Sequence, residues 1–499
     1  MSSTLARDGT VLLRWPAPRF LAWDHRARAR FVAHGGRAAV VWLAVFVPYT
    51  SARGSFTAAD FVTVSVLAAI WLAALRTAFA SARAIGVGVS AAVGGCIGLV
   101  AVAGLNAWVP NLELGAPTLL GTAVGVFASA GAWEWFVQQT SAGRRRVLLV
   151  GTSELADAVA AEIVRTRAWR FQLVGLVEEG RHPANGAVPR VGEADELAAV
   201  VQAHRPDLVV LMDDRTYPVA VDRLLDVAGA GFRVVGLSSF FEHAFGRVPL
   251  QHLTPAWFMA ILHLHQPVYA RWSKRTLDLV LACLGLLLAA PVLAVIALLV
   301  RRTPGPVIYR QTRLGEGGRE FTIYKFRTMV SNAEEAGRPR WASPNDDRAT
   351  AVGRILRATH LDELPQLWNV IRGDMSIVGP RPERREFVTR LESEVPFWSR
   401  RLLVKPGLTG WAQLRRGYTA DCPSAAEKLS YDLWYIRHGR LAVDMAVCLQ
   451  TVCLVLDALL PRRSGRRRTA HLERVSPSAP AYVPLASPVE VASFGDAET

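Results

Sequence analysis

Cysteine is scarce in this chain of 499 residues. The five present, Cys96, Cys283, Cys422, Cys448 and Cys453, form neither a CxxC pair nor a Cys/His ligand spacing, and most lie in apolar runs. This excludes a disulfide-framed secreted domain and a zinc site, and it fits a reduced compartment. A signal-peptide pattern is also missing: the N-terminal arm carries Arg7, Arg14, Arg19, Arg26, Arg28, Arg30 and Arg37 without a short apolar core and cleavage site. The N-terminus is therefore expected in the cytoplasm. Acidic residues are outnumbered, 42 against 57 Lys and Arg, for a net charge of +15. Such an excess admits nucleic acid, an anionic membrane surface or phosphorylated substrates as partners. A hydrophobic share of 51% favours the last two and argues against nucleic acid. No internal repeat is present, and the length spans about two to four domains.

What the chain has in abundance is long apolar runs. Four of them, at 38–50, 61–80, 85–109 and 117–137, approach the roughly 20 residues that cross a bilayer, the first being the shortest. The basic arm precedes the first run, Arg76 and Arg83 separate the second from the third, and Arg144, Arg145 and Arg146 follow the fourth. The third-to-fourth connection has no Lys or Arg, and Arg53 alone opposes the pattern. The charge bias puts both ends of a four-helix transmembrane bundle, residues 37–143, in the cytoplasm behind a basic N-terminal segment at 1–36.

From Arg144 the texture changes to alternating strand and helix, with strands at 147–150, 171–177, 208–212 and 232–236 and a helix at 156–165. This predicts a small Rossmann-like parallel α/β domain over 144–247. Its first turn, Gly151 to Ala156, keeps only the outer positions of a dinucleotide fingerprint, and Ser153 adds a side chain where a backbone would approach a pyrophosphate. A structural or regulatory role is expected over an active dinucleotide site. Glu178 and Glu179 read as solvated loop acids, with ribose contact the sharper option. A linker at 248–270 and a basic, disordered tail at 461–499 complete the division around 271–460.

Chemistry-bearing residues concentrate in 271–460. Alternation puts Phe321, Ile323, Lys325 and Arg327 on one strand face, and the pattern alone leaves open whether Lys325 and Arg327 enter an anionic pocket or meet solvent and headgroups. Between Arg354 and Gly373, Leu364, Leu367, Trp368 and Ile371 recur at helical spacing, with Pro365 fitting a first turn and Gly373 a stop. Asp362 then reads as an N-cap, as one of two adjacent carboxylates near Arg357 suited to a cation and a phosphate, or as both. Arg381 stands between Pro380 and Pro382, whose fixed φ aims it at a phosphate or into a salt bridge. The 405–413 stretch offers Lys405 and Gln413 in a Gly/Pro-rich loop, where a plain turn is the commoner outcome.

These stretches together resemble the bacterial sugar transferase family, the monotopic polyprenyl-phosphate phosphoglycosyl transferases. The motifs are Lys274-Arg275 with Asp278, 304–311, 321–329, Leu361-Asp-Glu-Leu-Pro-Gln366, 373–382, 405–413 and 431–436. They cover about two fifths of the chain in the family's order; the four spans and Rossmann-like domain resemble its large members. The resemblance implies transfer of a sugar 1-phosphate from a UDP-sugar to undecaprenyl phosphate with release of UMP, initiating exopolysaccharide, capsule or O-antigen synthesis at the bacterial inner membrane, with the catalytic domain facing the cytoplasm. Asp362 matches the nucleophile that forms an aspartyl-phosphosugar intermediate, and Glu363 the acid that binds Mg²⁺. Arg357 and Arg381 match positions near the phosphates and nucleotide, Gln413 a pocket residue, and Lys325 and Arg327 complete the expected substrate contacts.

The expected fold is a mixed α/β membrane protein: the bundle, the Rossmann-like domain, and an α+β catalytic domain. That domain carries a re-entrant membrane helix at 276–302, bent at Ala290-Pro291, and in-plane amphipathic helices around 397–405 and 441–460. Oligomeric state is left open, a homo-oligomer included. Two other classes compete. A non-catalytic membrane scaffold would leave Asp362 and Glu363 without a role; an NAD-dependent epimerase or dehydrogenase would need an intact glycine fingerprint and a Tyr-x-x-x-Lys pair, which the Rossmann-like stretch lacks.

Overall fold

The computed structural model describes residues 25–459 apart from 55, 80–86, 110–111, 113, 140–143, 167, 169, 179–186, 213–216, 228–230, 254–256, 258–267, 331–345 and 417–421. The arm before His25, the 461–499 tail and Glu179 lie outside the described residues.

Four N-terminal helices pack as a bundle: α1 (His25–Arg53), α2 (Ala58–Phe79), α3 (Val87–Trp108) and α4 (Ala116–Gln139). Val41, Val45, Trp71, Leu75, Val102 and Val126 form its buried centre. By length and composition α2, α3 and the 116–137 part of α4 can cross a membrane. Helix α1 is not in that group, and the expected 38–50 run is part of a longer helix that starts in the basic arm. At one end of the bundle Arg37 of α1 pairs with Glu134 of α4; at the other, Asp60 of α2 accepts from Tyr49 and Arg53 of α1. The buried Asp60 charge is thus partnered.

The next unit is a five-stranded parallel sheet in the order β3-β2-β1-β4-β5. Strands β1 (Arg145–Val150), β2 (Phe171–Glu178), β3 (Arg190–Glu193), β4 (Leu208–Leu211) and β5 (Arg233–Gly236) alternate with helices. Helix α5 (Ser153–Arg165) follows β1, α6 (Leu197–His204) follows β3, α7 (Tyr217–Leu225) follows β4, and α8 (Leu237–Phe245) follows β5. Strands β1 and β4 are buried on both faces, with separate apolar clusters above and below, as parallel sheets require. The β1–α5 turn closes on itself: Gly151 has φ 146°, and Glu178 at the end of β2 accepts a bond of 3.0 Å from the Ser153 amide. Glu178 is therefore a buried cap on the helix start rather than a solvated loop acid, and its carboxylate takes an amide that a phosphate would otherwise use.

The C-terminal unit begins with α9 (Val268–Arg301), helical without interruption through Pro291. Strands β6 (Ile308–Leu314) and β7 (Glu320–Phe326) pair antiparallel. Then come α10 (Ala351–Thr359), a 3-10 turn (Leu361–Gln366), α11 (Leu367–Arg372), β8 (Ser376–Val378), α12 (Arg385–Glu394), β9 (Gly407–Thr409), α13 (Trp411–Arg416), α14 (Cys422–His438) and α15 (Leu441–Leu459). Helix α15 packs against α3 and α2 of the bundle, and Ala78, Val93, Ala442, Val443, Ala446 and Val447 share one apolar cluster. Val248 and Trp257 belong to that cluster too, so part of the stretch expected as a linker at 248–270 is core. The 3-10 helix Trp398–Leu403, expected in the headgroup region, turns inward: Trp398 and Arg401 are 1% and 2% exposed.

The 405–413 stretch holds a strand rather than a plain turn. Its strand β9 runs parallel to β8, with Gly407 opposite Ser376 and Thr409 opposite Val378. The backbones of Gly379 and Gly407 approach so closely that a Cβ on Gly407 would stand 2.1 Å from the Gly379 nitrogen. Because backbone rather than a flexible side chain is met, Gly407→Ala should lower stability by about 2 kcal/mol or more. Thermal melting in detergent checks this; an unchanged midpoint would contradict the close approach.

Candidate functional site

Thr350 caps α10 by accepting from the Gly353 amide, and His360 ends that helix in the left-handed region at φ 59°. The reversal starts a fresh 3-10 turn, so Asp362 lies within a helical turn and is not its N-cap. Asp362 and Glu363 are 7% and 8% exposed. Two cations converge on Glu363: Lys325 Nζ donates to Oε1 at 2.8 Å, and Arg381 donates from Nη2 to Oε1 at 2.5 Å and from Nη1 to Oε2 at 3.2 Å. Lys325 arrives on β7 and Arg381 on the loop after β8, whose flanking prolines and tight Gly379–Gly407 contact limit its freedom.

The two carboxyls have opposite electrostatic fates. Burial pushes Glu363 up, but the charges of Arg381 and Lys325 outweigh it and hold the group well below the usual carboxylate range. Among the described residues Asp362 has no ion pair of its own; burial, reinforced by the adjacent Glu363 charge, holds it up to about 6. Burial pulls Lys325 down against the attraction of Glu363, and likewise lowers His360. A site of this kind keeps one carboxylate permanently ionised and leaves its neighbour under-stabilised as an anion, which is the condition of a reactive oxygen nucleophile.

The remaining expected residues divide. Lys325, Arg381, Asp362 and Glu363 come together. Arg327 does not join them: it is buried on the far side, donating to the carbonyls of Val300, Thr303, Pro304, Gly305 and Pro306 at the end of α9. It is a clamp on that helix end, and its guanidinium is consumed there. Arg357 sits on α10 and, among the described residues, makes no hydrogen bond or ion pair to either carboxylate. Gln413 on α13 has a buried Oε1 without a hydrogen-bond partner and, among the described residues, no hydrogen bond to either carboxylate. Two residues of the site escaped sequence reasoning. Gln366 is 2% exposed with an unpartnered Nε2, and Asn369 is fully buried, bonding the Tyr324 amide and the Thr322 carbonyl to tie α11 to β7. Their signal was the helical spacing itself, which puts 362, 366 and 369 on one face.

Mg²⁺ binds through one or two carboxylates supplemented by substrate phosphates, and the Asp362–Glu363 pair matches that donor set. Among the described residues no group of three or more His, Cys, Asp or Glu could hold a metal by itself.

Residues 269–458 match the bacterial sugar transferase family. A UDP-N-acetylgalactosamine-undecaprenyl-phosphate N-acetylgalactosaminephosphotransferase from Aeromonas hydrophila is 39% identical over 224 residues, 45% of this chain and 52% of that protein. A UDP-glucose:undecaprenyl-phosphate glucose-1-phosphate transferase from Xanthomonas campestris pv. campestris is 32% identical over 331 residues, 62% of this chain and 66% of its own length. One with the same name from Caulobacter vibrioides is 44% identical over 182 residues, 36% of this chain and 68% of its own length. The chain thus spans about half the length of the Aeromonas relative.

Because the folded state holds the Asp362 pKa above its unfolded value, ionising Asp362 costs stability as pH rises from about 4 through about 6. Asp362→Asn should therefore melt higher than the parent at pH 8, by about 1–3 kcal/mol in stability, with the gap closing by pH 4. Arg327→Met should melt lower at both pH values, since it leaves several carbonyls of the α9 end unpaired. Melting curves at the two pH values separate these outcomes.

Proposed function

The chain belongs to the bacterial sugar transferase family, and from that premise we propose that it transfers a sugar 1-phosphate from a UDP-sugar to undecaprenyl phosphate, releasing UMP. The observation that carries this reading is the pair of adjacent buried carboxyls, one held down by Lys325 and Arg381 and one held up. A non-catalytic scaffold has no use for such a division.

Donor and acceptor are both anions, so direct attack of one on the other is opposed by repulsion, and a two-step route keeps them apart. In the first step an Asp362 carboxylate oxygen attacks the sugar-side phosphorus of the diphosphate. The bond from that phosphorus to the bridging oxygen breaks, and UMP leaves with the electron pair. In the second step a phosphate oxygen of undecaprenyl phosphate attacks the same phosphorus and the Asp362–phosphorus bond breaks, restoring the carboxylate. Lys325 and Arg381 stabilise charge on the phosphoryl oxygens. Glu363, with Asp362 beside it, would hold Mg²⁺, which supplies further neutralisation of the diphosphate.

Two features support a cytoplasmic site on a helix that enters the membrane and returns. Both ends of α9 are fastened to the one unit. Near its start, Arg275 donates to the Val370 and Ile371 carbonyls at 2.6 and 2.7 Å and Asp278 accepts from the Ile377 amide, while near its end Ile296 and Val300 pack on Phe326 and Leu356. By length Trp272–Arg301 can cross a bilayer, but a crossing would divide that unit between two sides. Between its anchored ends Leu284, Leu287, Leu288, Val295 and Leu298 are exposed, an apolar face suited to lipid. The second feature is that α15 meets the bundle at Ala78, near the end of α2, and at Val89 and Val93, near the start of α3, the end that the charge bias places inside.

Purified protein should release UMP from one or more of UDP-glucose, UDP-galactose and their N-acetylated forms in the presence of undecaprenyl phosphate and Mg²⁺. Asp362→Asn should abolish release and leave no sugar phosphate trapped on the protein; trapping on that variant would remove Asp362 as nucleophile. The rate should fall as pH drops through about 6, as Asp362 takes up its proton. For topology, a cysteine at Glu316 in a cysteine-free background should react with a membrane-impermeant reagent only after lysis. Reaction in intact cells would place the site outside.

A further inference from the structure

Helix α14 is held from two sides, and the two sets of contacts have different destinations. On one side it grips the Arg381 loop at both flanks. Tyr435 Oη, whose one proton is shared between the Val378 carbonyl at 3.0 Å and Asp444 Oδ1 at 2.7 Å, meets the loop three residues before Arg381, and Lys428 Nζ donates to Glu383 Oε1 at 2.8 Å, two residues after it. Asp432 backs this up by accepting from Arg401 at 2.8 Å, while Arg401 faces Glu383 at 3.5 Å. Lys428, Arg401 and Arg313 outweigh the effect of burial and hold Glu383 down to about 2, so the grip is ionic across the neutral range.

On its other side α14 is fastened to the parallel-sheet unit. Glu242, on α8 and 2% exposed, accepts from Arg437 Nη1 and His438 Nε2 at 2.8 Å each, and from Trp257 Nε1 at 2.5 Å. Its backbone carbonyl accepts from Trp434 Nε1 at 2.8 Å. Around this centre the Val248 amide donates to the Ser430 carbonyl, Trp411 Nε1 donates to the Gly246 carbonyl at 2.7 Å, and Arg165 and Arg247 both face Glu427. A buried carboxylate with three donors from outside its own helix is costly to detach, because separation would leave both the acid and the guanidinium without partners. Helix α14 is thus a rigid bar with Glu242 at one end and the flanks of Arg381 along its length.

We infer that the parallel-sheet unit is a positioning element of the carboxylate site, with Glu242 as its positioning residue, acting through α14 on Arg381. Among the described residues no hydrogen bond or ion pair joins Glu242 or its helix to Asp362 or Glu363. Its effect runs through the loop from Gly379 to Glu383, and so through the two bonds by which Arg381 holds Glu363 ionised. This gives the sheet unit a task that needs no dinucleotide, in keeping with the Glu178 carboxylate over its first turn. It also means that a fragment starting after 257 loses Glu242, Val248 and Trp257 together. The inference rests on the reading that Arg381 and Glu363 serve phosphate transfer, and the test separates the two.

The full chain, in detergent or nanodiscs, would be compared as Glu242→Ala, Glu242→Gln, Trp434→Phe and Arg190→Ala by two readouts: kcat for UMP release at saturating donor, and hydrogen exchange of the peptide covering 377–388. Glu242→Ala should lower kcat tenfold or more and raise exchange in 377–388 while β1 and β4 stay protected. Glu242→Gln, which keeps an acceptor but loses the charge, should fall between. Arg190→Ala, which breaks a half-exposed pair with Glu193 in the same unit, should match the parent in both. A folded Glu242→Ala with parental kcat and unaltered exchange in 377–388 overturns the inference. If that variant does not fold, Trp434→Phe, which removes one bond and keeps the ring, decides by the same criteria. A parent that releases no UMP from any donor defeats the proposed function alone, since exchange in 377–388 still reads the mechanical link.

Discussion

The Glu363 carboxylate joins three pieces of chain that are distant in sequence: β7 through Lys325, the loop after β8 through Arg381, and its own 3-10 turn. Burial alone would favour its protonated form, so the two cations must arrive together with the fold, and each is delivered by a different local device. Lys325 is placed by strand pairing and by Asn369, which fastens β7 to α11. Arg381 is placed by prolines on either side, by two glycines in backbone contact, and by α14 holding the loop at both flanks. The cost of leaving Asp362 without a cation of its own is accepted in the same place, since the charge that stabilises Glu363 is not shared equally with its neighbour.

Around this centre the molecule solves a second problem, which is to keep ionic groups away from lipid. The Asp444 carboxylate of α15 faces inward: it accepts from Tyr435 and Lys274, and Lys274 lies 3.6 Å from Asp278 of α9. The outward faces of α9 and α15 are left apolar, with Leu287, Leu288, Val452 and Leu454 exposed. Polarity and hydropathy are thus sorted by face within one helix, which a sliding average along the sequence cannot express.

Much of this organisation was legible beforehand. Parallel strands 1, 2, 4 and 5 and the turn at Gly151 follow from period and glycine placement, and Asp362, Glu363, Lys325 and Arg381 stood out by residue type and motif. What was not legible depends on partners that come from elsewhere in the chain. Strand β3 is only four residues long and carries no alternation of its own. Arg327 shares a sequence face with Lys325, yet the carbonyls at the end of α9 claim it. Trp398 and Arg401 have the composition of an interfacial helix, but Asp432 draws the arginine inward. Glu242 carries no motif of its own, and its use is set by Arg437, His438 and Trp434 of α14 together with Trp257. In each case local pattern gave the chemistry of the side chain, and the choice among its uses was made by tertiary neighbours.

On the topology proposed here, α9 leaves and rejoins the same unit on one side of the bilayer, so that unit needs a single leaflet and its grip depends on apolar area rather than on matching a helix to membrane thickness. Spans such as α2, α3 and α4 do depend on thickness, and tilt is one response to a change in it. The two responses meet where α3 packs on α15. Membrane thickness thereby becomes a mechanical load on the helix whose Asp444 is bonded to Tyr435, the residue that steadies the strand leading to Arg381.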